Sequence, residues 1–290
     1  MNVMVTGSAG FIGSHFCENE TRLSIYELDS NLRVNSACSS NPFLNNKLGN
    51  CDAVLHLAGL AHGNHSAQEL NEVNHLGTLE LASAAAKAGV KRFVFVSTVN
   101  VHSGATCNTP ITEESSLDYL ISPSKISAEE GLKKIGSETN MEITIVRPVL
   151  VYGKGAPGNM GLLYGMVSRL PFTLFGLINN KKSFISVGNL CDFLYVCCTH
   201  PKAGNEVFLI SDNKSVSISV FMSAIAVGLD RKICHLPVSN SILRILGNLI
   251  GRSKQVVQLL DNLEVDISKA KNLLDWLPPE TLGQAMGKIK

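Results

Sequence analysis

Three glycines at a fixed spacing are the first residues in the chain able to do chemistry. Gly7, Gly10 and Gly13 follow a short apolar run over residues 2–6 and open a segment with helical periodicity at about 11–20. A strand-to-helix turn this tight needs residues without a Cβ, and a pyrophosphate reaches the backbone only where side chains are absent. The helix N-terminus then supplies N–H donors and a partial positive charge. The spacing is G-x-x-G-x-x-G, one residue off the commonest dinucleotide fingerprint, and an ordinary tight turn reads the same way. Asp29 changes the weighting. It lies 22 residues after Gly7, at the end of the run Leu23 to Leu28, where an acid bonds the adenosine ribose hydroxyls. A carboxylate there repels a 2′-phosphate, so NAD is the expected cofactor, while Arg33 nearby keeps NADP open. A solvated turn in Asp29-Ser30-Asn31 is the other reading of the same acid.

Other chemistry is less supported. Eight cysteines, at 17, 38, 51, 107, 191, 197, 198 and 234, form no C-x-x-C pair, so no metal site is expected. The opening residues 1–6 lack a basic leader, which suggests reduced thiols and a cytoplasmic protein. No apolar run approaches the ~18 residues of a membrane span. Lys plus Arg is 25 against 24 for Asp plus Glu, a net of +1 without a charge run. Neither nucleic acid nor a membrane is therefore expected as a partner. With 45% apolar and 17% charged residues, 290 residues can bury a large core in one domain or two closely packed ones.

The elements that must hold these residues alternate. After the first strand and helix come strands at 23–28 and 53–57, and a helical stretch with an alanine-rich face at 69–88. A buried-type strand at 92–96, a helix at 123–136 and a strand at 142–146 follow. Such alternation predicts an α/β fold, a parallel sheet covered on both faces. Beyond about 155 the pattern loosens, with helices expected at 160–169, 218–228, 240–250 and 279–288. The expected organisation is a dinucleotide-binding domain over 1–155 and a smaller α/β substrate lobe over 156–290, the two interleaved.

With those residues in place, the chain resembles the extended short-chain dehydrogenases/reductases that act on nucleotide sugars. Val5-Thr6-Gly7-Ser8-Ala9-Gly10-Phe11-Ile12-Gly13-Ser14-His15 is similar to their opening loop. Cys51 to Gly59 resembles their fourth-strand signature, in which Leu57, Ala58 and Gly59 pass under the cofactor. Val73-Asn74 with Gly77-Thr78 resembles the next helix, whose asparagine stabilises the central sheet. Arg147-Pro148-Val149-Leu150-Val151-Tyr152-Gly153 is similar to the segment beside the nicotinamide, and 265–279 to a C-terminal signature. Two further stretches, 155–159 and 179–187, resemble bacterial polysaccharide enzymes that epimerise or reduce carbon 4 of UDP-linked hexoses. The resemblance implies a Rossmann-type, doubly wound sheet, a nucleotide-sugar substrate, and a homodimer built on the 69–88 and 123–136 helices. It places Gly7, Ala9, Gly10, Phe11, Ile12, Gly13, Asp29, Leu57, Ala58, Gly59, Lys125 and Pro148 around the cofactor.

That family's chemistry needs a hydroxyl, a tyrosine and a lysine. The register puts the hydroxyl on Thr98 and the lysine on Lys125. The tyrosine, four residues before the lysine, falls on Ile121, which has no proton to give. Pro123 predicts a helix starting near 122–124 with Ser122 as N-cap, leaving 117–121 as loop, so Tyr119 becomes the candidate acid. His102, at a second tyrosine position of the family, is the alternative. Asn159, Lys182 and Arg252 are the candidates for contacting the substrate. The leading expectation is NAD-dependent C4 epimerisation of a UDP-hexose through a transient 4-keto sugar. An NAD(P)H-dependent 4-keto reductase, and a binding protein that has lost its acid, are the alternatives.

Overall fold

The computed structural model describes residues 1–28, 42–61, 63, 65–102, 109–249 and 251–289. Asp29 and Arg33, on which the choice between NAD and NADP turns, lie outside the described residues. In chain order the first lobe contains β1 (Asn2–Thr6), α1 (Phe11–Asn19), β2 (Ser24–Leu28), α2 (Pro42–Gly49) and β3 (Ala53–His56). It continues with α3 (Ala67–Asn71), a π-helical turn (Glu72–Gly77), α4 (Thr78–Lys87), β4 (Arg92–Val96), α5 (Pro123–Glu138) and β5 (Glu142–Pro148). Then come β6 (Leu150–Tyr152), α6 (Gly158–Arg169), β7 (Phe172–Thr173), β8 (Phe184–Ser186), α7 (Val187–Thr199) and β9 (Val207–Ile210). The chain ends with α8 (Ile218–Gly228), β10 (Cys234–His235), α9 (Asn240–Leu249), α10 (Ser253–Leu260), α11 (Ser268–Leu274) and α12 (Leu282–Met286).

Six strands form one sheet in the order β2-β1-β3-β4-β5-β9, and every pairing is parallel. Alternating side chains feed two separate cores, as a sheet covered on both faces requires. Val3, Val5, Leu55, Val94 and Val146 pack under α1, α7 and α11 through Phe16, Leu190, Phe193, Leu194 and Leu274. Met4, Val54, Phe93, Phe95 and Ile145 face the other way onto Leu44 and Leu48 of α2, Leu81 and Ala85 of α4, and Leu132 of α5. The order turns back between β1 and β3, and ligands of open α/β sheets bind at such a reversal, outside the carboxyl ends of the strands.

The second lobe has its own core of Tyr152, Met160, Leu163, Phe184, Phe221, Met222 and Ile225. The lobes do not part at residue 155. After building most of the second core, the chain returns through α7 and β9 to complete the sheet, and α11 covers it later still.

The 69–88 stretch, expected as one helix, is broken by the π-helical turn at 72–77. The extra residue in that turn aims Asn74 inward. Its side chain closes on Leu60 from both ends, accepting from the Leu60 N–H at 2.7 Å and donating to its carbonyl at 3.0 Å. π-Helical turns often occur at functional sites. This one sits beside the pocket.

Candidate active site

At the sheet reversal lies a pocket of about 750 Å³, floored by the strand ends and roofed by the second lobe. Gly7, Gly10, Phe11, Ile12 and Gly13 form one end. Gly7 has φ +72°, which favours glycine, and an added Cβ would lie 2.6 Å from the Ala58 nitrogen. At Gly13 an added Cβ would lie 2.1 Å from the Gly7 carbonyl, so the loop closes only on glycine. At Gly10 the same atom would meet only that carbonyl, at 3.1 Å, and would otherwise project into the pocket. Gly10 is also the N-cap of α1 and has no side chain to satisfy the helix N–H groups. A pyrophosphate fits this cradle by filling space and by accepting those N–H groups.

The loop is braced from beneath. His56 is buried, with Nδ1 2.7 Å from Thr6 Oγ1 and Nε2 2.9 Å from Thr78 Oγ1. Thr6 Oγ1 in turn accepts from the Ala58 N–H at 3.3 Å. Burial, with Lys125 nearby, pushes the imidazole down to about 3, so it stays neutral.

Lys125 enters from the first turn of α5. Its Nζ donates to the Val96 carbonyl at 3.2 Å and lies 4.6 Å from the centre of the Phe95 ring. Burial pushes its ammonium down to about 8, with Glu129 one turn on pulling it back. Thr98 faces the same pocket. Its hydroxyl accepts from the Asn100 N–H at 3.2 Å, capping a short 3₁₀ turn at 99–101. Of the other residues expected at the cofactor, Leu57, Gly59 and Pro148 line the pocket, while Ala9 and Ala58 are not among the lining residues.

The expected helix start is observed. Ser122 is the N-cap of α5 and Pro123 its first residue, with 117–121 outside the helix. Ile121 lines the pocket where the family pattern wants a tyrosine. Tyr119 does not enter; half exposed, it donates its hydroxyl to Glu130 on the outer side of α5. That bond raises its phenol above the ordinary range. His102 is also absent from the lining. It is buried against Arg147, whose Nη1 donates to its Nε2 at 3.1 Å, while its Nδ1 is 3.1 Å from the Ser116 carbonyl. Burial and the Arg147 charge lower its pKa.

Behind Thr98 and Lys125 runs a buried ion pair that no spacing in the sequence marks. Glu129 accepts from Ser97 Oγ at 2.5 Å and from Arg147 at 2.5 Å, and both charged side chains are almost fully buried. It joins α5, β4 and β5 at the point where Lys125 and Thr98 leave them.

From the second lobe Asn159, Lys182, Gln255, Gln258 and Leu259 reach the pocket. Asn159 Nδ2 is 3.5 Å from Gln258 Oε1. Lys182 lines the wall, but its ammonium donates to the carbonyls of Gln258 at 2.6 Å and Asp261 at 2.9 Å. It therefore anchors the end of α10 rather than presenting a bare cation to a diphosphate. Arg252 does not reach the pocket; it is exposed at the N-cap of α10. The two glutamines carry no sequence signal, since polar residues on a short amphipathic helix read as a solvent face. Among the described residues lining the pocket, the ionisable side chains are Lys125 and Lys182.

Residues 3–211 match the model of the NAD dependent epimerase/dehydratase family. A UDP-glucose 4-epimerase of Vibrio cholerae is 35% identical, over 97% of this chain and 92% of its own. An N-acetyl-α-D-glucosaminyl-diphospho-ditrans,octacis-undecaprenol 4-epimerase of Escherichia coli O157:H7 is 26% identical, over 99% and 93%. Among solved structures, the UDP-N-acetylglucosamine 4-epimerase of Bacillus cereus superposes with a TM-score of 0.81 at 20% identity, covering 100% of this chain and 98% of that one.

Proposed function

This chain belongs to the NAD dependent epimerase/dehydratase family, and on that premise we propose that it inverts carbon 4 of a UDP-linked hexose with NAD as resident cofactor. The observation that carries this reading is one pocket shared by the glycine cradle, Thr98, Lys125 and the second-lobe side chains Asn159 and Lys182. The glycine cradle, Leu57, Gly59, Lys125 and Pro148 would hold NAD, which would supply reversible hydride acceptance at the sugar carbon.

The chain's own residues hold the sugar and move its proton. The Thr98 hydroxyl, which lines the pocket, hydrogen-bonds the 4-oxygen, which must lose its proton as the ketone forms and regain it afterwards. Lys125, held down to about 8, is the pocket group able to take and return a proton near neutral pH. Phe11, Ile12, Leu57 and Leu163 give the cofactor end an apolar wall that keeps water from competing. Tyr119 contributes only if its loop leaves Glu130 and turns inward. Exposed Val73 and Leu76 on the π-helical turn support a homodimer through the α4–α5 side.

A second reading follows from Ile121. An apolar side chain at the acid's position fits a protein that binds nucleotide sugar but turns it over slowly. The test is to incubate purified protein with UDP-glucose or UDP-galactose, without added cofactor, and follow both sugars by NMR. Interconversion supports the epimerase, with kcat rising with pH to a plateau above about 8 as Lys125 loses its proton. Turnover that consumes added NADPH stoichiometrically identifies a reductase instead. Binding without turnover favours the second reading.

A further inference from the structure

Away from the pocket, the second lobe carries an apolar stripe that its own core does not use. Along α9, Ile242, Ile245, Leu246 and Leu249 recur at i, i+3, i+4 and i+7. That spacing places them on one arc of roughly 100°. All four are exposed, Leu249 by 77%. The inward side is different: Leu243 is buried, and Gly247 packs so closely on Val256 of α10 that an added Cβ would lie 2.8 Å away. The helix thus buries its narrow side and turns its widest apolar face to solvent, the reverse of ordinary core packing. Leu236, in the segment leading into α9, is also exposed, as is Leu177 in the segment after β7 that pairs with it.

The segment that carries this stripe is rich in cations, with Asp230 and Asp261 at its two ends. Residues 231–260 contain Arg231, Lys232, Arg244, Arg252 and Lys254 and no Asp or Glu. Arg244 pairs with Asp261 at 2.6 Å, whereas Arg231, Lys232 and Arg252 are exposed. The net +1 of the chain conceals the bias: residues 156–290 hold 14 Lys or Arg against 9 Asp or Glu, and residues 1–155 hold 11 against 15. No run of cations marks the segment because apolar residues are spaced between them.

Three kinds of occupant meet this face differently. A second copy related by a twofold axis would set these cations against themselves. A nucleic acid would meet the cations but leave four aliphatic side chains against phosphate, and residues 231–260 hold no Phe, Tyr or Trp for base stacking. An anionic bilayer satisfies both features, since aliphatic side chains enter the headgroup–acyl boundary while cations meet lipid phosphates.

We propose that α9 is a peripheral membrane anchor, which docks the second lobe on an anionic phospholipid surface through Ile242, Ile245, Leu246 and Leu249. α10 packs between α9 and the pocket, to which it contributes Gln255, Gln258 and Leu259. A docked molecule therefore holds its substrate pocket one helix away from the lipid.

Vesicle flotation of the full chain tests this, using phosphatidylcholine alone and phosphatidylcholine mixed with phosphatidylglycerol. The expected result is flotation with the mixed vesicles only, weakening as salt is raised. Replacing Arg231 and Lys232 together with alanine should lower partitioning about 30-fold, at about fivefold per cation. Ile245→Ser with Leu249→Ser should abolish flotation while leaving the thermal melt and turnover of a soluble sugar nucleotide unchanged, because neither side chain touches the core or the pocket. Failure of the parent protein to float, or equal flotation of the serine variant, overturns the proposal. So does a dimer by light scattering that the serine variant converts to monomer, or tighter binding to duplex DNA than to vesicles. Flotation is read without catalysis, so loss of the epimerase reading would not alter this outcome.

Discussion

Replacing Glu129 with leucine is expected to cost about 3–5 kcal/mol of folding stability. Its carboxylate is 1% exposed and Arg147 is 2% exposed, and among the described residues Glu129 is the carboxylate that Arg147 pairs with. A guanidinium keeps its charge in a protein, so removing the partner strands a buried cation. Its remaining contacts, His102 Nε2 at 3.1 Å and the Glu113 carbonyl at 3.5 Å, are neutral. Combining Glu129→Leu with Arg147→Met removes the stranded charge as well. What then remains is the loss of a partner by the Ser97 hydroxyl and the His102 ring, about 1–3 kcal/mol. The double variant should thus be more stable than the single one, a large coupling that urea denaturation resolves if the slope m stays constant. In melting temperature the single variant should fall by roughly 6–10 °C, at about 2 °C per kcal/mol for a chain of this size. The site should respond too. Glu129 holds the Lys125 ammonium up against burial, so its loss should move the pH–rate rise to lower pH. A single variant losing less than about 1 kcal/mol, or a double variant losing the sum of the two singles, would refute the reasoning.

Other outcomes follow from the same geometry. Gly10→Val should leave the fold intact, since its Cβ meets only one carbonyl, yet abolish dinucleotide binding by calorimetry; unchanged affinity would remove the pyrophosphate site. Tyr119→Phe should leave kcat unchanged, because that hydroxyl is bound to Glu130; a fall of roughly 10²–10⁴-fold would show that the loop swings in. Ile121→Tyr should raise kcat by putting a phenol in the pocket that Lys125 also lines. His56 refuses a proton in the folded state down to about 3, while the unfolded chain takes one near 6.5. Its contribution to stability is therefore full above 6.5 and is lost as pH falls, by about 1.4 kcal/mol per unit. Denaturation series at successive pH values on the parent and His56→Asn should differ in slope by about one proton.

The parts of the fold legible in the sequence are those that carry a local pattern. Strands β1, β3, β4 and β5 are short apolar runs bounded by turn residues, and their parallel pairing follows from the helices between them. Spacing or resemblance places the Gly7–Gly13 loop, Thr98, Lys125 and the start of α5 at Pro123, and the fold brings them to one pocket. The illegible parts have physical causes. α7 is apolar almost all round, so it has no polar face to mark its period. The π-helical turn adds a residue that periodicity absorbs as noise. Lys182 and Arg252 look alike as cations, yet one is consumed by carbonyls and the other stays in solvent, a difference made by the tertiary position of α10.

The late arrival of β9 bears on how this chain is made. β5 pairs on one side with β4 and on the other with β9, whose residues 207–210 follow the whole of α6 and α7. During synthesis, β5 leaves the ribosome with that second edge bare, and it stays bare until the chain has grown past residue 210. One face of the nascent sheet is covered by α1 alone, since α7 and α11 supply the rest of its lid. A fragment ended at residue 155 would keep the glycine cradle and Lys125 but freeze that intermediate, with an unpaired central edge and half a core. Such a fragment should aggregate rather than bind dinucleotide, because unpaired strands and exposed apolar faces associate with one another.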